Sequence, residues 1–177
     1  MPHLSLAIRE ATPDDQAVIW ALIDRLKEHY FEDYQLAAGF IPSDLNDWIY
    51  NGNLSVITLG LRDVELIVGV VLLDEIHPDL LHGRFHLLVD PKHYKAVLKH
   101  NGVVKAVEFT FQRYNVRKLN ARPMKPQTSA MKLLKKHFFW FGDAMPDEAK
   151  LKGKLVSVVP CHLTRKYWNK RKGELNG

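Results

Sequence analysis

The segment Val89-Asp90-Pro91, followed by a basic, histidine-containing stretch and then Asn101-Gly102, limits the fold more than any other part of the chain. Arg84 to Val89 reads as a strand. The proline after it removes a ladder donor and ends pairing. Val103 to Tyr114 then carries apolar residues at helical spacing, with Asn101-Gly102 at its head. A strand that delivers the chain to the start of a helix leaves unpaired backbone N–H groups and the positive end of the helix dipole at one point. That is a natural position for a phosphate.

The other elements follow from period and punctuation. Ser5 to Arg9 lies in an alternating segment from Leu4, as a half-buried strand does, and Thr12-Pro13-Asp14-Asp15 supplies an N-cap, a proline at the first helical position and early acidic residues. Val18, Ile19, Leu22, Ile23 and Leu26 give that helix one apolar face. Tyr30 to Asn53 is irregular, with a short helix from Ser43-Asp44-Leu45 to Asn51-Gly52, and is expected to wall an acceptor site. Leu54 to Leu61 and Glu65 to Ile76 read as strands of a hairpin turning at Arg62-Asp63. Lys118 to Met124 is a short strand, Pro126 to Ala130 opens another helix, and Leu155 to Leu163 is a closing strand. The order βα(α)βββαβαβ implies an α/β (mixed α+β) sheet with helices on both faces of a twisted centre. A single domain over residues 1–168 and a basic, flexible tail over 169–177 are expected.

Composition narrows the chemistry. One cysteine among 177 residues, Cys161, rules out an intrachain disulfide and is expected to sit buried in a strand. His77, His82, His93, His100 and His137 are scattered without H-x-x-x-H or His/Cys spacing on one helix face, so no metal is expected. No window approaches the roughly 20 apolar residues of a membrane span, so a soluble, cytoplasmic protein without membrane partners is expected. A net charge of +5 favours anionic partners, with basic residues gathered at Lys92 to Lys105, at Lys132 to Lys136 and in the terminal run from Arg165.

In element order and motif residues the chain resembles the GNAT superfamily of acyl-CoA-dependent N-acyltransferases, from about Ser5 to Trp168. Val89-Asp90-Pro91 fits the family's Val-x-Pro. Lys99-His100-Asn101-Gly102-Val103-Val104 is the counterpart of Q/R-x-x-G-x-G/A, with Lys99 for Gln or Arg and Val104 for the last small residue. The later motif N-x-x-A-x-x-L-Y-x-K-x-G-F aligns with Gln127, Ala130, Leu133, Leu134, Lys136, Phe138 and Phe139. Leu134 stands where many relatives have a tyrosine that protonates the departing thiolate, and Phe138 stands for the family glycine.

The resemblance implies an enzyme that moves an acetyl group from acetyl-CoA, as co-substrate, to an amine by direct attack. It implies backbone contacts to the acyl-pantetheine arm at Leu88 and Val89, and pyrophosphate contacts at Lys99, Asn101, Gly102, Val103 and Val104, with Gln127 also at the cofactor. Acetyl transfer needs a neutral amine and a donor for the developing oxyanion. His86 and Glu75 are the candidate bases or water-holders, since an imidazole titrates near neutrality and Glu75 ends the preceding strand. The acceptor, a small molecule or a protein, is not readable, and a homodimer is compatible with the resemblance. Two other readings stay open. Val104 and Leu134 suggest a GNAT-like fold that has lost catalysis and acts as a binding or assembly module. Positive charge with Tyr167 and Trp168 in the terminal basic run suggests a nucleic-acid-binding domain, the least favoured of the three.

Overall fold

The computed structural model describes residues 5–30, 42–61, 64–77 and 79–175. The expected acceptor wall at Phe31, Tyr34 and Phe40 and the expected turn at Arg62-Asp63 lie outside them. In chain order the elements are β1 (Ser5–Glu10), a short 3-10 turn (Pro13–Asp15), α1 (Gln16–Tyr30), α2 (Pro42–Tyr50), β2 (Leu54–Leu61), β3 (Val64–His77) and β4 (His82–Val89). Then come α3 (Tyr94–Lys99), α4 (Gly102–Tyr114), β5 (Lys118–Ala121), α5 (Thr128–Lys136), β6 (Trp140–Phe141), β7 (Met145–Leu151), β8 (Lys154–Val158), β9 (Cys161–Thr164) and α6 (Arg165–Arg171). Strands hydrogen-bond in the order β1-β2-β3-β4-β5-β9-β6, a mixed, mostly antiparallel central sheet flanked by helices, with β7 and β8 forming a separate pair.

Among the described residues the contacts divide into two units, with 5–30, 42–61, 64–73 and 86–109 in one and 74–77, 79–85 and 110–175 in the other. The first unit is built on the antiparallel β1-β2-β3 meander, whose register runs Ser5↔Gly60 to Glu10↔Ser55 and Leu54↔Leu72 to Leu61↔Val64. Ile19, Leu22, Ile23 and Leu26 of α1 are buried, as their spacing predicts, with Leu45 of α2, Val56 and Ile57 of β2 and Val68 and Val70 of β3, whereas Val18, expected on the same face, is 50% exposed. Burying each such side chain contributes about 1.5–3 kcal/mol before chain entropy is counted. The end of β1 is tied to the 3-10 turn by charge. Arg9 Nη1 lies 2.7 Å from Asp15 Oδ2, and Arg9 Nη2 lies 3.1 Å from Glu65. Asp15 also accepts from the backbone N–H of Thr12 at 2.8 Å, which closes the N-terminal box. The Arg9 guanidinium lowers the Asp15 carboxyl to about 2.

The second unit pairs β4 with β5 in parallel from His82↔Lys118 to Arg84↔Asn120, and β5 with β9 antiparallel from Lys118↔Thr164 to Ala121↔Cys161. Leu119, Ala121, Cys161 and Leu163 are buried on one face of that sheet. Cys161 is the buried strand residue expected of it, and burial pushes its thiol up to about 12.

Several features depart from the sequence expectation, among them α3 and β6, which it does not contain. The closing strand Leu155 to Leu163 is two strands, β8 and β9, split at Val159-Pro160 because proline lacks a ladder donor. β7, unexpected, pairs with β8 through Lys152 and Gly153, both with positive φ, the backbone of a type I′ turn. The chain past residue 168 is helical to Arg171 and then forms a 3-10 turn, with Thr164 Oγ1 capping α6 by accepting from Tyr167 N at 3.3 Å and Trp168 buried.

Candidate active site

The strand-to-helix junction lies in the first unit and is built around Asp90. Its N–H donates to Val68 O at 2.9 Å, which keeps the chain on the sheet one residue past β4. Its carboxylate then turns the chain, with Oδ1 accepting from Lys92 N at 2.9 Å and Oδ2 lying 2.8 Å from Arg25 Nη2. Burial alone would raise the Asp90 carboxyl, but the Lys92 N–H and the Arg25 charge outweigh it and hold the group below the ordinary carboxylate range. His93 N and Tyr94 N complete the turn on Asp90 O and Pro91 O at 2.9 and 3.4 Å. These bonds engage the N–H groups of Lys92, His93 and Tyr94, as far as the first residue of α3.

α3 ends at Lys99, Asn101 takes a positive φ of 56°, and α4 begins at Gly102. Lys105 N donates to Asn101 O at 3.0 Å. Among the described residues, the N–H groups of Gly102, Val103 and Val104 have no hydrogen-bond partner. Three open donors in the first turn of a 13-residue helix, with the positive dipole end behind them, suit a phosphate or diphosphate. Gly102 has a second reason to be glycine. A Cβ there would lie 2.4 Å from Val97 Cγ1, 2.8 Å from Val97 O and 3.3 Å from Leu6 Cδ1, so the absence of a side chain lets α4 start against α3 and β1. Lys105, a candidate for anion contact, spends its Nζ on Leu6 O at 2.7 Å, whereas Lys99 is exposed at the end of α3.

Leu88 and Val89 are buried at the end of β4. Gly69 on β3 makes room for them, since a Cβ at that position would sit 2.6 Å from Leu88 O. His86 is half-buried on the same strand and engaged with neighbouring groups. These residues and the α4 start all belong to the first unit.

Glu75 and Gln127 belong to the second. Glu75 is exposed, with a positive φ of 47°, and its Oε1 accepts from Arg84 Nη1 at 2.9 Å. Gln127 precedes α5, and its side-chain oxygen accepts from Met124 N at 2.9 Å, holding the turn into the helix. A surface hollow of about 470 Å³ lies beside α5, lined by Thr128, Met131, Lys132, Lys135 and Phe141 among others. Among the described residues no group of three His, Cys, Asp or Glu side chains could hold a metal ion.

A polar row in the second unit escaped sequence reasoning. The registers Arg84↔Asn120, Asn120↔His162 and Trp140↔His162 put four side chains side by side across four strands on one face of the sheet. His82, Lys118 and Thr164 form the next row of the same face. Burial and the nearby Lys118 charge lower the His162 imidazole below its ordinary value. The available signal was the alternation in Lys118 to Ala121 and Cys161 to Thr164, which gives the face of each strand but not its register.

In sequence the chain matches no protein-family model and no curated protein. In structure it is similar to the spermidine/spermine N-acetyltransferase SpeG from Vibrio cholerae. A mutant form of that enzyme superposes with a TM-score of 0.74 at 17% identity over 95% of this chain and 98% of the other. A crystal structure of spermidine N-acetyltransferase from Vibrio cholerae in complex with CoA and spermine gives 0.74 at 16% identity over 93% and 98%. A second mutant gives 0.76 at 15% identity over 95% and 98%. The chain has the GNAT fold, divergent in sequence.

Proposed function

We propose that the protein is an N-acetyltransferase that uses acetyl-CoA as co-substrate and an amine as acceptor. The observation that carries this reading is the start of α4, where three partnerless N–H groups follow a GNAT-type β4 and its Val-x-Pro end. Likeness to SpeG over nearly the whole chain, including a structure with CoA, supports it. In this reading Gly102, Val103 and Val104 donate to the diphosphate, with Asn101 setting the bend and Lys99 supplying a charge. The backbone of Leu88 and Val89 aligns the acyl arm, and Gln127 fixes the turn into α5. The amine nitrogen bonds to the thioester carbon, the C–S bond breaks, and the sulfur leaves as thiolate. The ammonium proton must go to a base before attack, and His86 is the first candidate. Glu75, held by Arg84, would act by orienting water or the acceptor. A thiol held up to about 12 makes Cys161 a poor nucleophile and fits direct attack without an acyl-enzyme.

The runner-up is a module of this fold without catalysis. It is favoured by Leu134, half-buried in α5, which offers no proton to a departing thiolate. Thiol release from acetyl-CoA, followed across a panel of primary amines, separates the two. An active enzyme whose His86→Gln variant loses about 10²-fold in kcat supports transfer with His86 as base. Absence of thiol release with every amine, in a protein that still binds CoA, supports the module.

A further inference from the structure

Arg25 of α1 and Asp90 at the end of β4 form an ion pair that no step of the transfer uses. Its place in the first unit gives it a task. α3 is six residues long, below the length at which a helix holds by itself in water, so contacts outside it must fix it. On its N-terminal side Asp90 supplies them. Oδ1 accepts from Lys92 N and the main-chain oxygen from His93 N, each at 2.9 Å, and Val97 N donates on to His93 O at 2.9 Å. On its C-terminal side α3 runs into the helix start that has open donors. Asn101 N donates to Leu98 O at 3.1 Å, and Val97 occupies the space that a Cβ on Gly102 would take. Where α3 lies thus sets where the N–H groups of Gly102, Val103 and Val104 point. Asp90 in turn is held by Arg25 Nη2, 2.8 Å from Oδ2. The Asp90 side chain is 10% exposed, so Arg25 and the Lys92 N–H replace the water that its charge has lost. Arg25 itself is 54% exposed, and a pair of that kind adds little to overall stability. Its effect is local.

We propose, resting on the acetyl-CoA reading above, that Arg25 and Asp90 are positioning residues for the cofactor diphosphate. Arg25 orients the Asp90 carboxylate, the carboxylate anchors the turn into α3, and α3 sets the first turn of α4 in the geometry that gives three N–H groups to one anion. Donors already in place when the anion arrives bind it without a further loss of freedom. Neither side chain needs to touch the cofactor.

Calorimetric titration of the full chain with CoA and with inorganic diphosphate, beside amide NMR spectra of the unliganded protein, tests this. Arg25→Gln is expected to weaken both ligands roughly 10-fold, the scale of one charge-assisted hydrogen bond, and to shift the Gly102, Val103 and Val104 amide signals before any ligand is added. Arg25→Lys keeps the charge and is expected to recover most of the affinity. Asp90→Asn retains an oxygen for the Lys92 N–H and is expected to match Arg25→Gln. The double variant should lose no more than either single one, since each removes the same pair. Melting curves check that every variant is folded at the titration temperature. A merely structural pair would lower the melting temperature and leave the affinity of the folded protein and the three amide signals unaltered. That result overturns the proposal, and so does a double variant in which the two losses add. If the unaltered protein binds no CoA, the acetyl-CoA reading fails, and the amide signals of the unliganded variants then decide the positioning role.

Discussion

Gly102 illustrates how one position can carry two demands. The sequence marks it as the glycine of an anion-binding helix start, and the structure adds that its missing side chain is filled by Val97 and Leu6. Gly102→Ala is therefore expected to cost about 1–3 kcal/mol through overpacking, read as a lower denaturation midpoint. Gly102→Val should cost more, and any loss of CoA binding in it has to be compared at matched folded fraction. The packing partner was not legible because Val97 reaches Gly102 only through the short helix α3. Asp15 gives a prediction in pH. Its carboxyl is lowered to about 2 from 3.8 by Arg9, so the stability it contributes is complete above about pH 4 and is lost as pH falls toward 2. With Arg9 half open to solvent the contribution is about 1–2 kcal/mol. Asp15→Asn should flatten the acid limb of a stability profile by that amount, and an unchanged limb would assign no linkage to the pair.

Elements with sustained period were readable from sequence, and those made by a few capped residues were not. β2 matches its expected bounds, Leu54–Leu61, and α4 begins within one residue of expectation, because burial on alternate or helical positions left a pattern. α3 has only six residues and is held by Asp90 through backbone bonds, a signal that composition does not carry. β7 reads as polar, and its only buried residue, Ala149, packs with Met124 and Val158. Ala149→Leu should overpack that small cluster and cost about 1–3 kcal/mol, whereas the same change at exposed Lys150 should fall within about 0.5 kcal/mol. Equal effects at the two positions would mean that the hairpin is not anchored there. At α6 the Thr164 cap was present in the sequence, but the basic run after it outweighed the cap in the reading.

At the scale of the whole molecule, a mixed sheet flanked by helices was legible from the order of elements, whereas the strand order was not, because a strand's own burial pattern does not name its neighbour. The candidate site was legible only where one segment builds it. Leu88 to Val104 came out as a unit, while the row Arg84, Asn120, His162 and Trp140 depends on three registers between strands far apart in sequence. The reading of the molecule as an acetyl-CoA-dependent enzyme stands or falls on the α4 start. Titration calorimetry with acetyl-CoA is the direct test. Saturable binding in the micromolar range, weakened several-fold by Lys99→Gln and by added salt, is the expected result. Absence of heat at millimolar acetyl-CoA from a folded protein would contradict it.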